Sequence, residues 1–328
     1  MKPVLRILVL ILLLSSTLQL FAQDEPKKER KKYENYKERN ISKTYPASGN
    51  NLTIENSFGD VTITTWDKNE IKVDIHIDAS SNDKDVAEKT FQRIDVKDKQ
   101  EGKEISFVTN FEDKEKNSCK NCNSTMHIDY DIHMPSTNGL TITNNFGATT
   151  IPDYSGPVSI TSMYGSLTAG KLNKLDRLIV QFGKATLKNL SNADVTFGYS
   201  SINIDNLSGS NKIKLEFCSY SKIVLDNSLT SLSLNNSYSS VHLQPAANFS
   251  ASYDVSTSYG SFIDKTNADI KRTDKPSEYG PDLDKHYEGK SGSGSAKITV
   301  KSSFGNIMIG EGTKDDMKQI KEKKKVRT

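Results

Sequence analysis

The sequence predicts an all-β fold, a parallel β-helix or solenoid with coils of about 18–21 residues and a small α+β cap-like insertion. Three observations predict it. A short pattern occurs nine times: an aromatic residue, then Gly or Ser, then any residue, then two apolar-leaning positions separated by one. From Phe146 to Tyr259 successive aromatics of this pattern stand 18, 18, 17, 21, 18 and 21 residues apart. The composition agrees, because 34% hydrophobic residues, 8% aromatic residues and 19 Gly in 328 suit many short strands and turns better than a core closed on all sides. It excludes a multi-span membrane protein, a coiled coil and a disulfide-dense mini-domain.

The elements follow in chain order. Residues 1–22 place Lys2 and Arg6 ahead of an apolar run from Ile7 to Leu14, which reads as a cleaved secretory signal, the run being too short for a bilayer span. No transmembrane span is expected after cleavage. The first cysteine is Cys119, so a lipid-anchored N-terminus is not expected. Residues 23–44 are predicted to be a charged disordered segment, since 24–40 hold 7 basic and 5 acidic side chains and few apolar ones. The tail 313–328, with 7 basic and 3 acidic residues, is predicted to be disordered in the same way. The body between these ends carries a net charge of −5, which excludes a nucleic-acid partner for an exported chain.

The repeat domain is expected over residues 45–312. Its nine copies start at Phe58, Phe146, Tyr164, Phe182, Tyr199, Tyr220, Tyr238, Tyr259 and Phe304. One copy cannot bury its own apolar face; stacking coils in register solves this. The aromatics are expected inside, as a core ladder, and the Gly that follows them at a corner of positive φ. Were they exposed, Tyr199, Tyr220 and Tyr238 would be the candidate contact residues. Seven residues after three of the aromatics stand Asn189, Asn206 and Asn227, which predict a ladder of stacked amides. The alternative at that place is a divalent-cation site using Asp205 and Asp226.

Two stretches interrupt the repeat. Residues 71–140 read as a strand, a helix over 83–94, and two further strands at 105–111 and 126–134, suited to covering the open end of a solenoid. Residues 264–297, rich in Lys, Asp, Gly and Ser, read as a long loop. Within the first stretch, Cys119 and Cys122 predict a disulfide in an exported chain, and Cys218 an interior thiol. Zinc would need two ligands more, with His127 and His133 nearby. His127, Asp129, Asp131 and His133 fall on one face of a strand, but alternate residues stand too far apart to meet one metal, so a solvated polar face is expected. No catalytic, cofactor-binding or metal-binding residue is predicted. Arg177 is the one arginine between Phe146 and Tyr259, and Asp176 points to the opposite side of a strand, so an acid–base pair is not supported.

The run Asn56-Ser-Phe-Gly-Asp-Val-Thr-Ile-Thr-Thr-Trp66, then Asn69-Glu-Ile-Lys-Val-Asp74, then Asn144-Asn-Phe-Gly147 and the later Tyr-Gly-Ser copies resemble the bacterial "putative adhesin" family of β-strand repeat proteins, a family of unknown function. The resemblance covers residues 45–312. It implies an exported right-handed β-helix-like domain, frequent in Gram-negative bacteria, and brings no catalytic residues. The functional expectation is a non-enzymatic surface or periplasmic binding protein, in the periplasm, on the outer-membrane face or in the medium, with carbohydrate, envelope or surface protein as partner. A polysaccharide-active β-helix enzyme and a purely structural envelope component are the alternatives.

Overall fold

Apolar and polar residues alternate along almost every repeat, so each chain segment gains by turning one face inward and pairing its backbone sideways. In the computed structural model, which describes residues 32–112, 119, 121–276 and 281–316, this produces twenty-two strands and one helix between strands, with residues 314–316 also helical. The fold is all-β. Strands β1 (Asn35–Pro46), β2 (Asn51–Ser57), β3 (Val61–Thr65) and β4 (Glu70–Ser81) precede helix α1 (Lys84–Gln92). After it come β5 (Ile94–Glu101), β6 (Glu104–Phe111) and β7 (Ser124–Met134). The repeats supply β8 (Leu140–Asn145), β9 (Ala148–Ile151), β10 (Tyr154–Met163), β11 (Ser166–Gln181), β12 (Lys184–Ser191), β13 (Asp194–Gly198), β14 (Ser201–Glu216), β15 (Tyr220–Ser237) and β16 (Ser240–Pro245). The C-terminal part adds β17 (Ala251–Ser258), β18 (Ser261–Lys265), β19 (Lys271–Arg272), β20 (Asp284–Ser291), β21 (Ala296–Ser303) and β22 (Asn306–Gly310).

Two parallel ladders organise these strands. In the first, each strand leads into a repeat aromatic: Ile142 lies opposite Ile160, Ile160 opposite Leu178, Leu178 opposite Val195, and Val195 opposite Ile213. In the second, each strand leaves the aromatic: Leu167 lies opposite Ala185, Ala185 opposite Ile202, and Leu243 opposite Ile309. A residue that faces inward in one coil is thereby set over an inward residue of the next. The resulting aliphatic rows are buried, many at 0–1% exposure, and each full side chain withdrawn from water contributes about 1.5–3 kcal/mol.

Four sequence expectations change. Residues 35–44 are not disordered: they form most of β1, antiparallel to β4 from Asn35–Ser81 to Pro46–Glu70. A sheet-edge strand needs backbone partners more than apolar side chains, and the charges of β1 find partners, Lys37 with Glu88 at 2.8 Å and Arg39 over the Phe91 ring at 5.0 Å. The excursion after β4 holds one strand more than predicted, because β5 forms a hairpin with β6 across Gly102 although most of its side chains are exposed. The segment 264–297 is not one loop: β20 runs antiparallel to β17, and Tyr287 packs on Phe262 at 4.9 Å. Finally, the last coil does not lie on top of its predecessor. Strand β21 inserts between β15 and β17, parallel to both.

Helix α1 starts where the sequence places it. Asp83 caps it, its carboxylate accepting the Val86 N–H at 3.0 Å, and Val86 and Ala87 are buried. The signal segment 1–22 and residues 317–328 of the basic tail lie outside the described residues.

Candidate functional site: an exposed aromatic column

Every coil must turn between the two ladders, and an aromatic residue makes that turn. Phe58, Phe146, Tyr164, Phe182, Tyr199, Phe217, Tyr238, Tyr259 and Phe304 all have φ between 51° and 64°. The expectation that the following Gly takes the positive φ is therefore wrong; none of Gly59, Gly147, Gly165, Gly183, Gly260 and Gly305 does. Those glycines serve close approach instead. A Cβ on Gly147 would stand 1.8 Å from the Gly59 carbonyl oxygen, on Gly165 1.9 Å from that of Gly147, and on Gly183 1.9 Å from that of Gly165. Where Ser200, Cys218 and Ser239 replace Gly, the side chains are buried and engaged, Ser200 Oγ donating to the Gly198 carbonyl at 2.7 Å and Ser239 Oγ accepting the Cys218 N–H at 2.8 Å.

A bulky residue in the left-handed region is an outlier, held at a cost on the order of 1–3 kcal/mol. The rings recover it by stacking. Eight consecutive contacts link nine rings in the order Phe58, Phe146, Tyr164, Phe182, Tyr199, Phe217, Tyr238, Phe304, Tyr259, at centroid separations of 4.7–5.0 Å and interplanar angles of 1–11°. The spacing is that of neighbouring strands, so the column is imposed by the ladders and runs roughly 40 Å along them. It is not a core ladder. The eight rings from Phe146 to Tyr259 are 43–53% exposed, because a left-handed corner residue projects its side chain away from both inner faces.

Tyr220 is absent from the column. It opens β15, half-buried, its hydroxyl 3.3 Å from His242 Nδ1, and Phe217 holds its expected place. Cys218 hid Phe217 from a pattern that asks for Gly or Ser; the regular step of 18 residues from Tyr199 was the signal that could have found it. Beneath the column lies a buried polar row: Asn56 donates to Asn144 Oδ1 at 3.2 Å, and Asn236 donates to Ser302 Oγ at 2.8 Å.

The predicted amide ladder takes a different course at its third rung. Asn189 donates to Asn206 Oδ1 at 2.9 Å and Asn206 donates to Asp226 Oδ2 at 3.0 Å, whereas Asn227 donates to the Ala247 carbonyl. The register of β14 against β15 shifts across this stretch. Asp205 and Asp226 do not converge on a cation; Asp205 accepts from Asn203 and Asp226 from Ser228. The Ser228 hydroxyl and N–H, and then Asn206, hold the Asp226 carboxyl below the usual carboxylate range. Its folded pKa being the lower one, this contribution is complete above the unfolded value near 4 and is lost as pH falls through the folded value. Replacing Asp226→Asn is expected to cost about 1 kcal/mol at pH 7, solvent screening included, and progressively less toward pH 3 in urea melts.

The remaining predicted residues are dispersed. Cys119 is joined to Cys122, with Cα atoms 5.7 Å apart, and Cys218 is buried. With Asp83 these two cysteines make the one trio of potential ligands close enough to share a metal among the described residues. Their bonded sulfurs are not free thiolates. On the outer face of β4 and β7, His127 Nδ1 lies 3.0 Å from Asp78 and His133 Nδ1 3.8 Å from Asp131, while Asp129 accepts the Asp60 N–H at 2.8 Å. These pairs are separate.

No family model matches the chain, and no curated protein does. Solved structures resemble it distantly. One described as a "putative adhesin" from Bacteroides fragilis is 12% identical, with a TM-score of 0.43 over 83% of this chain and 97% of that one. A "putative cell adhesion protein" from Clostridium sporogenes is 13% identical, with a TM-score of 0.28 over 84% and 100%. A "putative lipid binding protein" from Parabacteroides distasonis is 12% identical, with a TM-score of 0.33 over 87% and 100%. Among the described residues no helix is long and apolar enough to cross a membrane.

Proposed function

We propose that this chain is an exported, non-enzymatic, adhesin-like binding protein: a parallel β-solenoid, covered at one end by the 71–140 excursion, that meets its partner along the aromatic column. The observation that carries this reading is the exposed strip itself. Eight half-exposed rings offer about 100 Å² each, so the strip measures roughly 800 Å², above the few hundred Å² of the largest apolar patch on an ordinary monomer. Gly or Asn would take the same left-handed corner at little cost, so turning the chain does not call for aromatics there. Its partner belongs to one of two classes, envelope or surface protein, or carbohydrate. The ring faces being covered by neighbours, contact is made through the rims.

The test substitutes Tyr164→Asn, Phe182→Asn and Tyr199→Asn together, Asn being tolerant of positive φ. Labelled wild-type and triply substituted protein, both without residues 1–22, are titrated onto bacterial envelope fragments and onto a glycan array. A loss of at least tenfold in affinity for whichever surface the wild type binds is expected. Equal binding by both proteins, or none by the wild type, overturns the reading.

A further inference from the structure

Along the exposed column Phe and Tyr alternate without exception: Phe146, Tyr164, Phe182, Tyr199, Phe217, Tyr238, Phe304, Tyr259. The alternation holds in space and not in sequence, since Phe304 is inserted between Tyr238 and Tyr259. A phenol reaches one oxygen farther than a phenyl ring, so the crest is taller at every second coil. None of these four hydroxyls makes a hydrogen bond among the described residues. Before the four Phe stand Asn145, Gln181, Glu216 and Ser303, and before the four Tyr stand Met163, Gly198, Ser237 and Ser258.

Resting on the binding role proposed above, we infer that the partner on this column is a second copy of the same chain, packed crest to crest and antiparallel. A twofold axis between Tyr199 and Phe217 places Tyr199 opposite Phe217, Phe182 opposite Tyr238, Tyr164 opposite Phe304 and Phe146 opposite Tyr259. Every tall ring then meets a short one. That axis keeps each margin on its own side, so the hydroxyls of Tyr164, Tyr199 and Tyr238 come beside the partner's Ser303, the partner's Glu216 and the partner's Gln181, and donate to them. A parallel arrangement would set Tyr on Tyr and Phe on Phe and lose both matches.

Charge and area agree. Of the residues one before and two after the eight rings, Glu216 and Lys184 alone are charged, and the axis sets Glu216 opposite Gly198 and Lys184 opposite Ser240, so no like charges meet. The strip of roughly 800 Å² equals what one partner contributes to a standard specific interface.

Sedimentation velocity on the mature chain, from low to high micromolar concentration, tests the inference. The wild type is expected to dimerise. Phe217→Tyr, which opposes two tall rings at the axis, is expected to weaken the dimer at least tenfold, and adding Tyr199→Phe to restore it, a rescue that mere loss of folding cannot imitate. A wild type that stays monomeric throughout, or a dimer indifferent to Phe217→Tyr, overturns the inference. If such a monomer still loses envelope or glycan binding through the Asn substitutions above, the self-association fails and the binding role stands. If those substitutions also change nothing, both fail.

Discussion

Replacing Gly165→Ala will destabilise the protein by about 3 kcal/mol or more, although it adds a single methyl group at a surface corner. The added carbon would stand 1.9 Å from the Gly147 carbonyl oxygen and 3.0 Å from its nitrogen. These are backbone atoms of the neighbouring coil, so no rotamer change relieves the overlap. Both ladders must spread or shear, and their hydrogen bonds at Ser166 and Lys184 lengthen with them. Gly198→Ala is the control in the same region: its carbon would meet only the Gln181 side chain, at 3.6 Å. Urea unfolding of the two variants should separate them clearly, with Gly198→Ala close to wild type; a small effect at residue 165 would mean that coil spacing is looser than the contacts imply.

Phe197→Ala should be the second severe change, at about 3–5 kcal/mol. This ring has 0% exposure and lies two residues before the corner aromatic of its coil, set between Val180 and Leu215 of the coils on either side. Most other coils hold small or polar residues at that place, Asn144, Ser162 and Asn236 among them, so no neighbouring ring can swing in to fill the void. Phe182→Ala removes the same side chain from the exposed column, where the ring is 43% exposed. It forfeits two stacking contacts and half a ring of burial and relieves little of the left-handed strain. About 1–2 kcal/mol is expected. Denaturant midpoints should therefore rank the phenylalanines by which side of the ladder they occupy, and equal losses would contradict the observed burial.

The period, the alternating strands, the inserted helix and the constancy of an aromatic corner were legible in the sequence, because each is a local pattern repeated many times. What a corner residue does was less legible. The pair Phe182-Gly183 announces a constrained turn, yet the letters do not reveal that Phe carries the unusual φ while Gly yields room to the carbonyl of the next coil. Likewise Tyr220-Ser221-Lys222 matches the motif better than Phe217-Cys218-Ser219, and only stacking geometry decides between them. Strands β1, β5 and β20 were missed for a common reason: each flanks a ladder where the partner supplies hydrogen bonds and few apolar side chains are needed, so periodicity is faint. The surface position of the rings follows from three-dimensional handedness at the corner, which no composition records.

The insertion of β21 between β15 and β17 constrains the order of assembly. The column cannot grow like a zipper from one terminus to the other, because the slot between Tyr238 and Tyr259 stays vacant until Phe304 has emerged. Residues 251–265 must wait, held loosely or not at all, for a segment synthesised later. The C-terminal coil therefore acts as a keystone: a chain truncated before it would lose an inner layer and, with it, the seating of the outer one formed by β17 and β18.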